Sequence, residues 1–93
     1  MKVLITGSKG LVGSALSKRI ENKNNLALIN SSREECDLEN FNQTINFFKK
    51  NNPDIVVHCA GKVFGIGGNM SDQYNAWRKN TLINMNVIEA SIL

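Results

Sequence analysis

Three glycines near the start of the chain, Gly7, Gly10 and Gly13, have the spacing GxxGxxG. They follow the short apolar run of residues 2–6 and precede a segment with helical periodicity. In that context the glycines allow a tight turn, close approach of a ligand to the backbone, and close packing of helix on strand. Free N–H groups and the dipole of a helix N-terminus favour an anion, so the loop predicts a pyrophosphate cradle. The candidate residues are Gly7, Ser8, Lys9, Gly10, Leu11, Val12 and Gly13; the alternative is a glycine-rich turn without a ligand.

Basic residues near this loop indicate which dinucleotide it takes. In NAD-specific folds an Asp or Glu about 20 residues past the glycines holds the 2′-hydroxyl of the ribose. Here the second apolar run is followed by Arg33, and no acid appears before Glu34. Lys9, inside the loop, is expected to converge with Arg33 on a 2′-phosphate, where each charge-assisted hydrogen bond contributes about 1.5–3 kcal/mol. NADP(H) is therefore the expected cofactor, unless both cations are ordinary surface residues.

Asp37 and Leu38 come a few residues after the second apolar run. Asp37 is expected to accept a hydrogen bond from the amino group of adenine, with Leu38 against the ring. The alternative for Asp37 is a structural one, because Asp often forms the turn before a helix.

Alternating strands and helices must position these residues. Continuous apolar runs predict strands buried in a parallel sheet, at residues 2–6, 26–29 and 55–59. Helical spacing predicts helices at residues 11–22, 40–51, and from 72 or 74 to 93. The second of these helices opens with Asn40 and Gln43, which resemble a capping box, and ends before Pro53. The order predicts an α/β fold, the N-terminal βαβαβα portion of a Rossmann-type doubly wound parallel sheet.

Composition limits the classes of protein that remain. The chain has 93 residues, 42% apolar and 20% charged, so residues 1–93 are expected to form part of one globular domain without a substrate domain. The net charge of +3 comes from scattered basic residues, so nucleic acid is not an expected partner. Cys36 and Cys59 have no spacing for a disulfide framework or a metal site. No apolar stretch has the length of a membrane span, and no signal peptide is evident, so a cytoplasmic protein is expected.

The segments together resemble the extended short-chain dehydrogenase/reductase family, the sugar-nucleotide epimerases and reductases. The resemblance lies in GSKGLVGSAL, SREECDL, PDIVVHCAGKVFGIGGN and KNTLINMNVIEAS. It implies that the glycine loop holds the pyrophosphate and that Lys9 and Arg33 face the 2′-phosphate. It also implies that Asp37 and Leu38 contact the adenine. Near the ribose and the nicotinamide it places Ala60, Gly61 and Lys62.

The same resemblance implies an activity, the epimerisation and NADPH-dependent reduction of a nucleotide-linked 4-keto-6-deoxy sugar by a homodimeric full-length relative. The glycine-rich residues 61–69 are then expected to border the sugar nucleotide, although the family's Tyr-Pro pair after Asn69 is missing here. Asn80 and Asn86 match polar positions of the next helix. The family's catalytic Ser and Tyr-x-x-x-Lys fall beyond residue 93, so the chain is expected to be inactive on its own.

Other interpretations stay open from the sequence. A cofactor-binding module without chemistry, such as a redox sensor, is one; against it, the last helix reaches Ile92 and Leu93 without a C-cap, which indicates a truncated chain. A reductase of dTDP-linked deoxysugars would share the same opening β-α-β unit. His58, in the third apolar run, is expected to be a hydrogen-bonded core residue and not a proton relay.

Overall fold

The computed structural model of the protein describes residues 1–61 and 70–92, except for the side chains of residues 70–72. Strands and helices alternate, which confirms the α/β class and the predicted order of elements. The elements are β1 (Lys2–Thr6), α1 (Leu11–Glu21), β2 (Ala27–Ser31), α2 (Phe41–Asn51), β3 (Ile55–His58) and α3 (Met70–Ile92). β1 has its predicted bounds, β2 extends to Ser31, and α3 begins at Met70, earlier than predicted. The predicted end of the last helix at Leu93 lies outside the described residues.

Parallel pairing on both sides of β1 gives the sheet the order β2-β1-β3. The chain reaches β2 through α1 on one side of β1, then crosses through α2 to β3 on the other side. Because crossovers between parallel strands are right-handed, this reversal places α1 and α2 on opposite faces of the sheet. The carboxyl ends of the strands share one edge, at the point where the winding reverses. Doubly wound sheets bind their ligands at this edge.

The core agrees with helices on both faces. Leu4 is fully buried among residues of α2 and α3, such as Phe48 and Val87. Val3 and Ile5 are buried as well. Since side chains alternate along a strand, they face the side that α1 covers, and α1 contacts both β1 and β2. The cluster around Leu4 is completed by Cys36, Leu38, Ile45, Ile83 and Ala90.

β3 is more exposed than the predicted buried strand. It pairs with β1 on one side, and no strand in the described ranges lies on its other side. Ile55 is therefore 43% exposed, and Val56 and Val57 are half-buried. His58 is exposed, so its predicted place in the core is wrong. Its predicted hydrogen bonding is confirmed.

α2 has the N-cap that the sequence predicts. The side chain of Asn40 accepts a hydrogen bond from the N–H of Gln43. The side chain of Gln43 does not return to Asn40, as it would in a capping box, but accepts from the N–H of Asp37 at 3.2 Å. At the other end, Asn52 has a left-handed φ of 44° and Pro53 follows it. The hydrogen bond between Gln43 and Asp37 ties the start of α2 to the segment that follows β2.

α3 exposes apolar side chains as well as burying them. The face toward the sheet contributes Ile83, Asn86, Val87 and Ala90. The exposed apolar side chains, each at least 40% accessible, are Tyr74, Trp77, Leu82, Met85, Ile88 and Ile92. Within the part of the chain that is described, neither α3 nor another helix is long and apolar enough to span a membrane.

Gly13 determines how closely α1 packs on the end of β1. A Cβ at Gly13 would overlap the carbonyl group of Gly7, reaching 2.8 Å from its carbon. We expect Gly13→Ala to lower the free energy of unfolding by about 3 kcal/mol or more, because only a backbone shift relieves this overlap. Urea unfolding followed by circular dichroism measures the loss. Gly10→Ala is the control, since its Cβ would stay 3.3 Å from the Gly7 oxygen. Equal losses in the two variants would contradict the packing argument.

Candidate functional site

A cavity of about 260 Å³ opens at the carboxyl ends of the three strands. Its lining includes the predicted residues Gly7, Gly10, Arg33, Asp37, Leu38, Ala60 and Gly61. The other members of the predicted glycine loop, outside the lining, are Ser8, Lys9, Leu11, Val12 and Gly13. Lys62 lies outside the described residues. The fold also brings to the cavity residues that the sequence did not single out as ligand contacts: Ser31, Ser32, Cys36, Glu39, Cys59 and Ile83.

The glycine loop is held against both neighbouring strands. Gly7 has a left-handed φ of 66° and donates its N–H to the carbonyl oxygen of Ser31 at 3.0 Å. A Cβ on Gly7 would lie 2.8 Å from the backbone of Ala60, in the turn after β3. A side chain at Gly7 is therefore excluded both by its backbone conformation and by this close approach.

α1 begins at the cavity without a capping side chain. Gly10 is its N-cap, and the first turn holds no acidic residue. Because first-turn N–H groups have no acceptor within the helix, those of Leu11 and Val12 are suited to an anion. The side chains of Leu11 and Val12 are 90% and 61% exposed, so the predicted contact with a pyrophosphate would use their backbone N–H groups. The residues present fit the pyrophosphate of a dinucleotide.

The two predicted phosphate-binding cations each have a carboxylate partner. Lys9 Nζ lies 3.1 Å from Glu34 Oε2, and both side chains are about 70% exposed. Arg33 Nη2 lies 3.8 Å from Glu39 Oε2, a looser contact. Lys9 and Arg33 thus do not converge on one group in this structure. An exposed ion pair such as Lys9–Glu34 contributes only about 0–1 kcal/mol, so Lys9 is weakly held.

Ser32 contacts the carboxylates of Glu34 and Glu35, the two acidic residues that follow Arg33. Its N–H donates to Glu35 Oε2 at 2.7 Å, and its hydroxyl donates to Glu34 Oε2 at 2.7 Å and also contacts Glu35 Oε2. The hydroxyl of Ser32 is the main cause that lowers the pKa of both carboxyls, and the pKa of Glu34 falls to about 2. Lys9 lowers the pKa of Glu34 further. Both carboxylates are therefore ionised at neutral pH.

The segment after β2 is fixed by side chains from two helices. Asp37 Oδ1 accepts the N–H of Glu39 at 3.1 Å, which is the turn-forming role, and the backbone N–H of Asp37 donates to Gln43 on α2. Asn86 on α3, which is buried, donates its amide hydrogen to the carbonyl oxygen of Leu38 at 2.8 Å. Asp37 and Leu38 both line the cavity, as predicted for adenine contacts, and those contacts stay a prediction.

A series of side-chain hydrogen bonds links β1, β3 and α3 beside the cavity. The buried Thr6 Oγ1 accepts the N–H groups of Cys59 and Ala60 at 3.0 and 3.2 Å. It lies 2.6 Å from His58 Nδ1, and His58 Nε2 lies 2.7 Å from Asn84 Oδ1. Because Thr6 accepts two backbone hydrogens, its own hydrogen is donated to Nδ1, and the neutral imidazole donates from Nε2 to Asn84.

The sequence analysis did not predict that small polar and thiol side chains near the strand ends would line the cavity. The hydroxyl of Ser31 is buried and has no hydrogen-bond partner within the described ranges. Cys36 is a free thiol, and burial raises its pKa, which disfavours the thiolate. A signal was available, because Thr6, Ser31 and Ser32 come at or just after the ends of the strands, where parallel strands deliver side chains to a ligand.

Fold and site together define a Rossmann-type unit, the class of α/β fold that binds dinucleotides at this edge. Among residues 1–61 and 70–92, no group of His, Cys, Asp and Glu is arranged to hold a metal ion. The chain belongs to the NAD dependent epimerase/dehydratase family, whose sequence profile it matches over residues 3–92. This confirms the resemblance found in the sequence.

Three proteins similar to this chain are enzymes that act on sugar nucleotides. The GDP-L-fucose synthase of Dictyostelium discoideum is 35% identical over 88 residues, which are 92% of this chain and 28% of that protein. The GDP-mannoheptose C4 reductase of Campylobacter jejuni, solved with NADP bound, has a TM-score of 0.87 and 31% identity, covering 98% of this chain and 27% of that one. A dTDP-4-dehydrorhamnose reductase of Clostridium acetobutylicum has a TM-score of 0.82 and 28% identity, covering 99% and 32%. The chain thus spans less than a third of the length of these relatives.

Ser32→Ala is expected to raise the pKa of both Glu34 and Glu35 toward the ordinary value of 4.5, because it removes their main hydrogen-bond donor. A lowered carboxyl pKa stabilises the fold above about pH 4.5, and that contribution is lost as the pH falls toward 2. In the variant this contribution to stability becomes smaller, because the folded-state pKa values lie closer to 4.5. Carboxyl titration by NMR measures both groups. Ser14→Ala, whose hydroxyl donates to the Leu11 carbonyl, is the control. Unchanged Glu34 and Glu35 midpoints in Ser32→Ala would contradict this account.

Thr6→Val is expected to lower the free energy of unfolding by about 1–3 kcal/mol, because it keeps the shape of the side chain but leaves a partly buried donor without its acceptor. The N–H of Ala60 loses its bond to the hydroxyl, whereas that of Cys59 keeps the Thr6 carbonyl oxygen at 3.2 Å. Chemical denaturation measures the loss. Thr6→Ser retains the hydroxyl and should lose less. If it loses as much as the valine variant, the hydroxyl is not the stabilising group.

Proposed function

We propose that the protein is the NADP(H)-binding part of a nucleotide-sugar epimerase/reductase that resembles GDP-L-fucose synthase. The observation that carries the proposal is the cavity at the carboxyl edge of the sheet, where the glycine loop, the start of α1 and Arg33 meet. Membership of the NAD dependent epimerase/dehydratase family supports it, since that family's fold and this cavity call for the same kind of ligand.

Each part of the cofactor has suitable residues in this proposal. The N–H groups at the start of α1 hold the pyrophosphate, and Lys9 and Arg33 hold the 2′-phosphate. Asp37 and Leu38 border the adenine. Ala60 and Gly61, with the adjacent Lys62, border the ribose and the nicotinamide. When bound, the reduced nicotinamide supplies a hydride to a keto carbon of the sugar; the chain described here binds and orients it.

NADP(H) is preferred over NAD(H) for two reasons. The Campylobacter reductase, 31% identical to this chain, was solved with NADP bound. In addition, the exposed charges at the end of β2 include Arg33, and the exposed Lys9 lies in the loop that precedes α1. Cations in these two places suit a dianion better than the hydroxyl of NAD(H).

The substrate of the full-length protein is proposed to be a GDP-linked 4-keto-6-deoxy sugar. Tyr74 is followed by Asn75, Ala76 and Trp77, so it does not supply a Tyr-x-x-x-Lys motif. We therefore expect the 93 residues alone to bind the cofactor without turning over a sugar. A dTDP-linked sugar is the second candidate, favoured by the likeness to the Clostridium reductase. The glycine-rich residues 61–69, on which the preference for GDP rests, lie mostly outside the described residues.

A homodimer through α3 is proposed for the full-length protein. The exposed side of this helix carries large apolar side chains, with Trp77 64%, Met85 54% and Ile88 58% accessible. Apolar surface of this kind on a soluble protein marks an interface. The opposite side of the same helix is already packed on the core through Ile83 and Val87.

Arg33→Ala is expected to weaken NADPH binding about tenfold or more and to leave NADH binding unchanged, because it removes a charge-assisted bond to the 2′-phosphate. Calorimetric titration of the protein with each nucleotide measures the two affinities. Arg19→Ala removes an exposed cation from the last turn of α1, away from the cavity, and serves as the control. Equal or tighter binding of NADH by the wild-type protein would contradict the NADP(H) assignment. Failure of the folded protein to bind either nucleotide would contradict the proposed function.

A further inference from the structure

A single carboxylate oxygen, Glu34 Oε2, accepts hydrogen bonds from two different parts of the site. Lys9 Nζ of the glycine loop lies 3.1 Å from it, and Ser32 Oγ at the end of β2 lies 2.7 Å from it. One donor is a cation and the other a hydroxyl. This is the donor set that recognises an anionic oxygen, and it is assembled here around an anion from the chain itself.

We infer that Glu34 is an internal substitute for the cofactor's 2′-phosphate, occupying Lys9 in the free protein and leaving it when NADP(H) binds. The inference rests on the proposed function. On this inference Glu34 competes with the 2′-phosphate and lowers the affinity for NADP(H). From the sequence alone, Glu34 was only the first acidic residue after the second strand.

The charges decide which anion holds Lys9. The Glu34 carboxylate carries one negative charge and is 71% exposed, so its ion pair is weak. A phosphate monoester carries about −1.5 to −2 at neutral pH and offers three acceptor oxygens. It therefore displaces the carboxylate from Lys9. A neutral 2′-hydroxyl lacks the charge to do so, and Glu34 stays in place when NADH binds.

The backbone of the turn keeps its anchor when Glu34 leaves. The N–H of Ser32 donates to Glu35 Oε2 at 2.7 Å, a bond that does not involve Glu34. Glu34 is thus the carboxylate that touches the cation, and Glu35 is the one that fixes the turn. The two adjacent acids form a matched pair for testing the inference.

The experiment measures NADPH and NADH affinities of Glu34→Gln and of its control, Glu35→Gln, by calorimetry at low and high salt. Both variants remove one negative charge and keep an oxygen that accepts from Ser32. We expect Glu34→Gln to bind NADPH about two- to fivefold more tightly, with a gain that shrinks at high salt, and to bind NADH as the wild type does. Glu35→Gln should change neither affinity by more than about twofold.

The same substitution in a Lys9→Met background isolates the contact. If Glu34 acts by occupying Lys9, its replacement brings no gain once Lys9 is gone, because the two effects are coupled. A gain that persists in Lys9→Met, or an equal gain in Glu35→Gln, would reduce the effect to general charge repulsion and overturn the inference.

The remaining outcomes separate this inference from the proposed function. NADPH preference in the wild type without a gain in Glu34→Gln overturns the inference and leaves the proposed function standing. A loss of NADH affinity in Glu34→Gln assigns Glu34 to the ribose 2′-hydroxyl and also overturns it. Absence of binding by the folded wild type overturns both.

Discussion

Direct packing of backbone on backbone at the end of β1 is the constraint on which the rest of the site depends. Gly13 lets the first turn of α1 approach the carbonyl group of Gly7, and Gly7 in turn lies against the backbone of Ala60. Three chain segments therefore meet without intervening side chains. This contact directs the start of α1 toward the cavity and brings the turn after β3 to the same cavity.

The inner wall and the outer rim of the cavity are held by different kinds of interaction. Thr6, Asn86 and Gln43 hold backbone groups in place through hydrogen bonds, of which the one from Asn86 is buried and the one to Thr6 is partly buried. The rim instead carries two ion pairs between exposed or partly exposed side chains. Buried hydrogen bonds are costly to break, whereas exposed ion pairs exchange partners readily. The inner wall is thus held more firmly than the rim.

Local sequence signals predicted the parts of this structure that depend on local physics. The bounds of β1, the tight turn at Gly7 and the Asn40 cap follow from apolar runs, backbone freedom and side-chain capping, and the fold contains all three. The exposure of His58 was not predictable in this way, because it depends on which strands flank β3. The partners of Lys9 and the two roles of Ser32 were missed for a similar reason. They depend on distances between segments that the sequence does not give.

The hydrogen bonds of His58 also join a strand to a helix beside the cavity. With Nδ1 accepting from Thr6 and Nε2 donating to Asn84, both ring nitrogens are engaged by side chains that do not titrate at neutral pH. His58 therefore connects β1 to α3 through hydrogen bonds of its two ring nitrogens. Loss of the imidazole would therefore remove both of these hydrogen bonds at once.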